Sequence, residues 1–502
     1  MHQIIPPINQ KAAARPIIAR RTQPIVIGLF AGLYLSLLII AMIINGPSLG
    51  LYLLFALLAA VFILPDHDFL GLALIILLTM IFERYFALQG LIIDQAVYKF
   101  YLLDIVICLA GLALVVKNKL RPTAARLPAF AWSEKLLVLW LALVGLGLIR
   151  GLFDINADFN LAFSSFKNYF FYPLLYFFVI YTVDSRQKLK NAVQLILLGA
   201  VGIIAFIFIG AIRGAGLWTE FTPLSTVGVR YLAGTHAFYL ALALALILPL
   251  LFYKRLRSPA LAVIIIGLWT LGIAGSLMRH LWLAAGAGLA SIMVLLEHDL
   301  KKTYLSFLTQ AGLFLIATAV LILLMANLLY FQGSADKIYQ DFSTFASRLA
   351  TVVDLNSDSS AVWRQNAWSG AAKIWSANPL FGAGFGRTML LDNGDSQGLE
   401  EIRNIHNSPL AIAVQMGFVG LLAWLAFILA VIISAVKAAY RREDLKPYYL
   451  GLIATVIIYL TACLFQPYLE TNMMGLWLWL LLGLLRTASI FDKQTYEDSA
   501  NQ

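Results

Sequence analysis

The chain has 502 residues, of which 61% are hydrophobic and only 12% are charged. A soluble domain carries about 25% charged residues, so this composition excludes an ordinary globular protein. The net charge is +10, but the basic residues lie mostly between apolar blocks, which is typical of membrane topology and not of a nucleic-acid partner. The two cysteines, Cys108 and Cys463, lie inside apolar blocks. They predict neither a disulfide framework nor a metal site.

The apolar residues form blocks that are long enough, or nearly long enough, to cross a bilayer as helices. These blocks lie at 24–44, 48–64, 69–83, 99–116, 134–152, 168–184, 191–212, 235–253, 259–278, 281–297, 304–330, 408–436, 447–466 and 473–490. The second and third are short and also fit one kinked pair. The predicted fold class is therefore an all-α polytopic membrane protein with about 12–14 transmembrane helices.

Lysine and arginine predict the orientation, because cytoplasmic loops carry an excess of both. Every second loop is basic. These loops hold Lys11, Arg15, Arg20, Arg21, Lys117, Lys119, Arg121, Arg126, Lys135, Arg186, Lys188, Lys190, Lys254, Arg255, Arg257, Lys301, Lys302, Lys437, Arg441, Arg442 and Lys446. Both termini are thus expected in the cytoplasm. No cleavable signal peptide is predicted, because the first apolar run lacks a small-residue cleavage site.

This orientation divides the chain into five parts. They are a cytoplasmic tail (1–23), about eleven helices (24–330), a large extracytoplasmic loop (331–405), about three helices (406–490) and a second cytoplasmic tail (491–502). The loop is too long for a simple connection, so a functional role is expected.

Within the large loop, the spacing of Ile338, Phe342, Phe345, Leu349 and Val352 predicts an amphipathic helix. Residues 363–377 predict a second helix, which Asn378 and Pro379 end. The glycine-rich stretch 379–386 is open to two interpretations, a phosphate cradle or a tight turn that aims Arg387. It lacks the Gly-Lys-Ser/Thr ending of a phosphate-binding loop, which favours the turn.

Several basic residues lie at the predicted outer ends of helices, where topology does not explain them. They are Arg150, Lys167, Arg213, Arg230, Arg279, Arg364, Arg387 and Arg403. Arg279 lies between two apolar blocks with almost no loop around it. Each residue alone fits snorkelling to the interface. The whole set is explained more economically by an anion site, because arginine binds phosphate in a bidentate manner.

His406 begins the span that follows the large loop, where Asn407 or Ser408 fits as a helix cap. A neutral imidazole accepts a proton from a hydroxyl at neutral pH, and the alternative is a polar interfacial residue without a role. Arg387 and Arg403 are expected to favour the neutral form by charge repulsion. Asp104, inside a span, fits a proton pathway or, more simply, structural pairing with a basic residue.

Four segments together resemble the O-antigen ligase and polymerase superfamily. They are Thr226–Gly234 around Arg230, the Ser276–Arg279 span end, Trp363-Arg364 through the Asn378–Gly386 turn, and His406-Asn407-x2-Leu410-x6-Gly417-x2-Gly420. The resemblance covers roughly 220–425. One departure is His280, where the family often has glycine. Residues 1–65 look like an N-terminal addition to the family's usual twelve spans.

The resemblance implies an inverting, metal-independent glycosyltransferase without a cofactor, which uses a polyprenyl (undecaprenyl) pyrophosphate-linked glycan on the outer face of a bacterial-type inner membrane. It implies that Arg279 and Arg364 bind the donor pyrophosphate, that Arg230 assists, and that His406 is the base, with Arg387, Arg403 and Asn407 as possible supporting residues. The acceptor is a hydroxyl of a glycan, a lipid or another molecule. A polymerase that joins repeat units and, in a different class, a transporter of a small anion such as bicarbonate remain alternatives.

Overall fold

The computed structural model describes residues 17–46, 48–64, 68–87, 90–93, 96–120, 130–213, 232, 234–330, 359–392, 397–441, 443–472 and 474–500. Arg230 and the amphipathic helix predicted over 338–352 lie outside the described residues.

Helices make up most of the described chain. In chain order, the first half contains α1 (Ile17–Asn45), α2 (Leu49–Ile63), α3 (Asp68–Ala87), β1 (Gly90–Ile93), β2 (Ala96–Tyr101), α4 (Leu102–Leu120), α5 (Trp132–Leu152), α6 (Phe159–Phe166), a π-helical turn (Lys167–Phe171), α7 (Leu174–Thr182) and α8 (Arg186–Arg213). The second half contains α9 (Gly234–Phe252), α10 (Pro259–Gly275), α11 (Arg279–Leu295), α12 (His298–Tyr330), α13 (Ser359–Ala377), β3 (Thr388–Asp392), β4 (Gln397–Glu401), a 3₁₀ turn (Ile402–Asn404), α14 (Ser408–Arg441), α15 (Lys446–Cys463) and α16 (Gly475–Ala500).

The predicted all-α polytopic membrane fold is confirmed, and each predicted span contains helix. Within the described ranges, five helices are long and apolar enough to cross a membrane by length and composition, namely α5, α8 over Arg186–Ala205, α9, α14 and α15. Shorter apolar helices lie in seven of the other predicted spans. α2 and α3 are separate helices, and α16 continues to Ala500, past the predicted end at 490.

The predicted span at 168–184 is interrupted, and proline is the reason. Pro173 has no backbone N–H, so it cannot donate to the carbonyl of Tyr169 one helical turn earlier. The Trp140 indole Nε1 of α5 donates to that carbonyl instead, at 3.3 Å. The chain passes this point through the π-helical turn, and α7 begins after it. The two antiparallel hairpins, β1–β2 and β3–β4, were not predicted.

The centre of the molecule is α15, which packs against α9 and α11. An apolar bilayer does not drive helices together, so close packing of small residues stabilises such contacts. At Gly288 of α11, an added Cβ would lie 2.5 Å from the Ile458 side chain of α15. Around this centre, α14 packs on α5, and α16 packs on α7.

Ion pairs connect neighbouring helices at the end of the bundle opposite His406. Arg486 of α16 donates to Glu134 of α5 at 2.8 Å, and both side chains are buried. Lys446 pairs with Glu297. Asp104 pairs with Lys167 near the other end, which agrees with the structural interpretation of this intramembrane carboxylate.

Candidate active site

The part of the large loop that the structure describes has a small apolar core of its own. Ala367 and Ala371 of α13 pack with Met389, Ile402 and Ile405, which lie on the hairpin and the segment after it. Trp368 Nε1 donates to the carbonyl of Ile405 at 2.8 Å. Ala411 and Val414 of α14 complete this core. The core therefore holds α13, which contains the helix predicted over 363–377, against the beginning of α14.

His406 lies directly before α14 and is held by this packing. Its backbone φ is 56°, in the left-handed region that non-glycine residues seldom adopt. The Trp363 ring contacts the imidazole edge to face, with 4.9 Å between ring centroids. Nδ1 is buried, and none of the described residues forms a hydrogen bond with it. The backbone conformation and the tryptophan together orient the imidazole.

Arg364 is the charge that acts on His406. Burial and the nearby Arg364 guanidinium lower the pKa of His406 from 6.5 to about 4. The imidazole is therefore neutral at pH 7, as expected, but the cause differs from the predicted one, which was Arg387 and Arg403. Those two arginines have other partners. Because Trp363 and Arg364 are consecutive on α13, one helical turn supplies both neighbours of the imidazole.

Arg279 is the first residue of α11 and is partly buried. It follows a tight turn in which Leu277 has a φ of 56°. The next residue, His280, shares a hydrogen bond of 2.9 Å with the Tyr468 hydroxyl. Tyr468 lies in segment 464–474, which connects α15 and α16 and also contacts the beginning of α14. Arg279 and His406 therefore lie at the same end of the bundle.

Glu470, a buried carboxylate in that connecting segment, was not predicted from the sequence. Glu470 Oε2 accepts a hydrogen bond from the Ser408 hydroxyl at 2.6 Å, and Oε1 accepts one from Tyr169. Burial raises the pKa of Glu470 to about 7, although both hydrogen bonds act to lower it. Ser408 is two residues from His406, so Glu470 anchors the chain that carries the imidazole.

A protein-family comparison assigns part of the chain. The model of the family described as O-antigen ligase matches residues 262–425. The chain carries an O-antigen ligase domain. Comparison with curated proteins finds no match.

The match confirms the resemblance that the sequence predicted. The ligase domain extends from α10 into α14, so it contains Arg279, Arg364 and His406. Glu470, which holds Ser408 of the domain, lies outside the matched residues. Of the helices outside the match, α5, α8, α9, α15 and α16 pack against the ligase domain.

The three supporting residues have partners inside the protein. Arg387 pairs with Asp154. Burial acts to raise the pKa of Asp154, but hydrogen bonds from Arg387 and from the Asn156 backbone keep this pKa below its ordinary value. Arg403 donates to Ser164 and, at 3.0 Å, to the Glu470 carbonyl. These two arginines connect the loop to the bundle.

Asn407 caps α14 through its side chain. The Asn407 Oδ1 atom accepts a hydrogen bond from the backbone N–H of Leu410 at 3.0 Å. This contact satisfies one of the N–H groups that lack a partner at a helix N-terminus. The first turn of α14 is thereby fixed directly after His406.

The glycine-rich turn of the ligase domain is a structural element and not a phosphate cradle. Its N–H groups donate to protein carbonyls, from Ala383 to Val414 at 2.7 Å, from Gly384 to Gln415 at 3.0 Å and from Phe385 to Gly147 at 3.1 Å. Glycines along the turn have positive φ values. The turn joins α14 to α5, which confirms the tight-turn interpretation.

α14 is kinked where the glycine-rich turn contacts it. Gly417 has φ 71° and ψ −172°, which is not helical. The kink frees the N–H of Phe418, which donates to the Pro379 carbonyl at 2.8 Å. A Cβ on Gly417 would lie 2.2 Å from the Leu380 carbonyl oxygen. Only glycine fits this position.

We expect Gly417→Ala to destabilise the protein by about 1–3 kcal/mol or more, because it combines a strained φ with a backbone clash. The measurement is thermal unfolding in detergent. Gly145→Ala is the matched control, since a Cβ at Gly145 meets nothing within 4 Å. Equal melting temperatures for the two variants would contradict the role of the kink.

We expect Glu470→Ala to lower the unfolding free energy by about 1–3 kcal/mol for each hydrogen-bonding group that it leaves unsatisfied. It should also slow transfer through movement of the His406 segment, whereas Glu470→Gln should retain part of both properties. Thermal unfolding and a transfer assay below the transition measure these effects. Glu443→Ala is the control, because Glu443 is exposed at the other end of the bundle.

Proposed function

We propose that this protein transfers a glycan from a polyprenyl pyrophosphate carrier to an acceptor hydroxyl, with His406 as general base and with Arg279 and Arg364 as pyrophosphate ligands. One observation carries the proposal. A buried neutral imidazole lies two residues before a membrane helix of an O-antigen ligase domain, where the charge of the Arg364 guanidinium acts on it.

The reaction needs both kinds of group. His406 takes the proton of the acceptor hydroxyl, while the acceptor oxygen attacks the anomeric carbon. The bond from that carbon to the pyrophosphate oxygen breaks, and polyprenyl pyrophosphate leaves with the electron pair. Arginine charge stabilises the negative charge that develops on the leaving group. Attack opposite the leaving group inverts the anomeric centre, and this scheme requires no metal.

The arrangement explains why the base is buried beside a cation. A cation that binds pyrophosphate must be close to the reacting sugar, but a protonated histidine there would not accept a proton. Arg364 serves both needs, because its charge attracts the donor and also disfavours the imidazolium form of His406. Snorkelling alone does not account for an arginine whose charge acts on a buried imidazole.

The test is turnover of a polyprenyl-pyrophosphate glycan by the purified full chain in detergent, with product analysis by mass spectrometry. We expect a glycosylated acceptor and free polyprenyl pyrophosphate in equal amounts, also in the presence of a metal chelator. Growth of the carrier-linked glycan itself would identify a polymerase. Bicarbonate uptake by vesicles without any transfer would overturn the proposal in favour of a transporter.

The proposed site requires the His406 end of the bundle to face away from the cytoplasm. Single cysteines at Ser376 and at Glu443, both exposed, test this in a background that lacks Cys108 and Cys463. We expect an impermeant maleimide to label Ser376→Cys on whole cells and Glu443→Cys only after lysis. The opposite pattern would rule out donor binding on the outer face.

A further inference from the structure

A groove lies beside the candidate active site, between α2, α4 and α6. Its wider part is a cavity of about 730 Å³ lined by Asp104, Lys167 and Asn472 and by several aromatic rings. A second cavity of about 300 Å³ lies between α2 and α4. Phe100 and Cys108 line both cavities, so the two form one groove with a wide end and a narrow end.

The wide end holds the polar residues of the groove, set among aromatic rings, and its charge is balanced. Lys167 pairs with the buried Asp104, and its ammonium lies 4.3 Å from the centre of the Tyr101 ring. The other polar lining residues are Asn160, Ser164 and Asn472, which are uncharged. A phosphate or pyrophosphate needs cations whose charge is not already compensated. Amides and a hydroxyl suit an uncharged head group that carries hydroxyls.

The narrow end is apolar throughout. Leu49, Leu53 and Ala56 of α2 face Ile105 and Leu109 of α4 across it. Such a lining favours a hydrocarbon chain, since burying apolar surface is favourable in proportion to its area. The groove as a whole therefore has the polarity of a lipid, with a head end near α6 and a tail end along α2.

The groove is not built by the ligase domain. α2 and α4 precede the matched residues 262–425, and α2 belongs to the N-terminal segment that sequence analysis identified as an addition. This chain therefore adds a binding surface to the family's catalytic part.

Hydrogen bonds connect the head end of the groove to the candidate active site. Ser164 lines the groove and accepts a hydrogen bond from Arg403. Arg403 in turn donates to the Glu470 carbonyl at 3.0 Å. Glu470 holds Ser408, two residues from His406. A series of hydrogen bonds through Arg403, Glu470 and Ser408 thus connects the head end of the groove to the segment that carries the imidazole.

We propose that this groove binds a lipid with an uncharged, hydroxyl-bearing head group, and that this lipid anchors the glycan acceptor. The second half of this statement rests on the proposed function, whereas the binding site itself does not. A lipid-anchored acceptor places its hydroxyls at the membrane surface near His406, and this favours transfer to a lipid over transfer to a protein.

Cys108 provides a native probe of the groove. It is exposed and lines both cavities, whereas Cys463 is buried and serves as the internal control. The rate of maleimide labelling of Cys108 is measured in the full chain in mixed micelles. Monoglucosyl diacylglycerol, phosphatidylglycerol and undecaprenyl phosphate are compared at equal mole fraction. We expect the glucosyl lipid at four times its Kd to slow labelling about fivefold, by simple occupancy, and the two anionic lipids to have little effect.

Two variants test the two ends of the groove. Ala56→Trp fills the tail end and should abolish protection of Cys108, whereas Leu57→Trp, at an exposed residue of α2 that lines neither cavity, should not. Asn160→Ala should weaken protection from the head end, and it remains informative if Ala56→Trp does not fold. Equal protection by all three lipids, protection by undecaprenyl phosphate alone, or full protection in Ala56→Trp would overturn the proposal.

Lipid binding, measured as protection of Cys108, and glycan transfer to the lipid are measured separately. Protection of Cys108 by the glucosyl lipid without any glycan transfer to it supports the groove and overturns its role as the acceptor site. Transfer to the glucosyl lipid supports both the lipid site and its role as the acceptor site if Ala56→Trp abolishes this transfer while donor hydrolysis continues. Transfer that is equally fast in Ala56→Trp and Leu57→Trp would leave the proposed function intact and overturn the groove as the acceptor site.

Discussion

Replacing His406 with alanine should lower turnover by about 10²–10⁴-fold, the usual contribution of a positioned general base. The affinity for the donor should change little, because the neutral imidazole carries no charge for the pyrophosphate. Transfer rates at saturating donor and acceptor, together with donor Kd values, measure the two effects. His298→Ala is the matched control, since His298 is 87% exposed at the opposite end of the bundle.

The pH dependence separates the two roles open to His406. A base works in its neutral form, so kcat/KM should be flat from about pH 6 to 8 and fall as pH falls towards the pKa of about 4. A cationic hydrogen-bond donor would instead gain activity as pH falls through that value. Wild-type turnover in His406→Ala, or activity that increases below pH 5, would refute the base.

Replacing Arg364 with alanine should weaken donor binding by roughly 10- to 150-fold, the equivalent of about 1.5–3 kcal/mol for a charge-assisted contact. Turnover should fall further if the contact tightens in the transition state. Lysine should rescue only part of the activity, because a guanidinium binds phosphate in a bidentate manner and an ammonium does not. Arg279→Ala should show a similar loss.

A second effect of Arg364→Ala follows from its position beside His406. Removing the guanidinium relieves the repulsion that disfavours the imidazolium form, so the pKa of His406 should rise part of the way towards 6.5. In the pH profile of kcat/KM, the decrease at low pH (the acid limb) should therefore move to higher pH in Arg364→Ala and stay in place in Arg364→Lys. Lys373→Ala, an exposed cation on the same helix α13, is the control. Unchanged donor affinity and an unmoved acid limb would place the pyrophosphate site elsewhere.

The prediction of helices succeeded because a bilayer imposes a length on every crossing segment. A run of about 20 apolar residues must be helical there, since only a helix satisfies its own backbone groups. The break near Pro173 depends in addition on a contact between two helices. Proline predicts a lost hydrogen bond, but the partner that replaces it, the Trp140 indole, comes from another helix.

The candidate site was predicted only in part. The sequence motifs identified His406, Arg279 and Arg364 by residue type and order. They did not show that Arg364, rather than Arg387 or Arg403, acts on the imidazole, because the fold of the large loop decides which charge is near. Glu470 gave no signal, since a glutamate in a short connecting segment is normally solvated.

The sequence by itself determined the class of membrane protein, the order of its helices, the ligase resemblance and the identity of the main candidate residues. These features depend on local composition and spacing, which a linear sequence contains in full. Only the tertiary structure showed which arginines pair with residues inside the protein and that the glycine-rich turn packs against a kink at Gly417. It also showed that Glu470 is buried against Ser408 and that a groove lies between α2, α4 and α6. These depend on contacts between segments far apart in the chain, such as Ser408 with Glu470 and Tyr52 with Phe100, and packing alone brings them together.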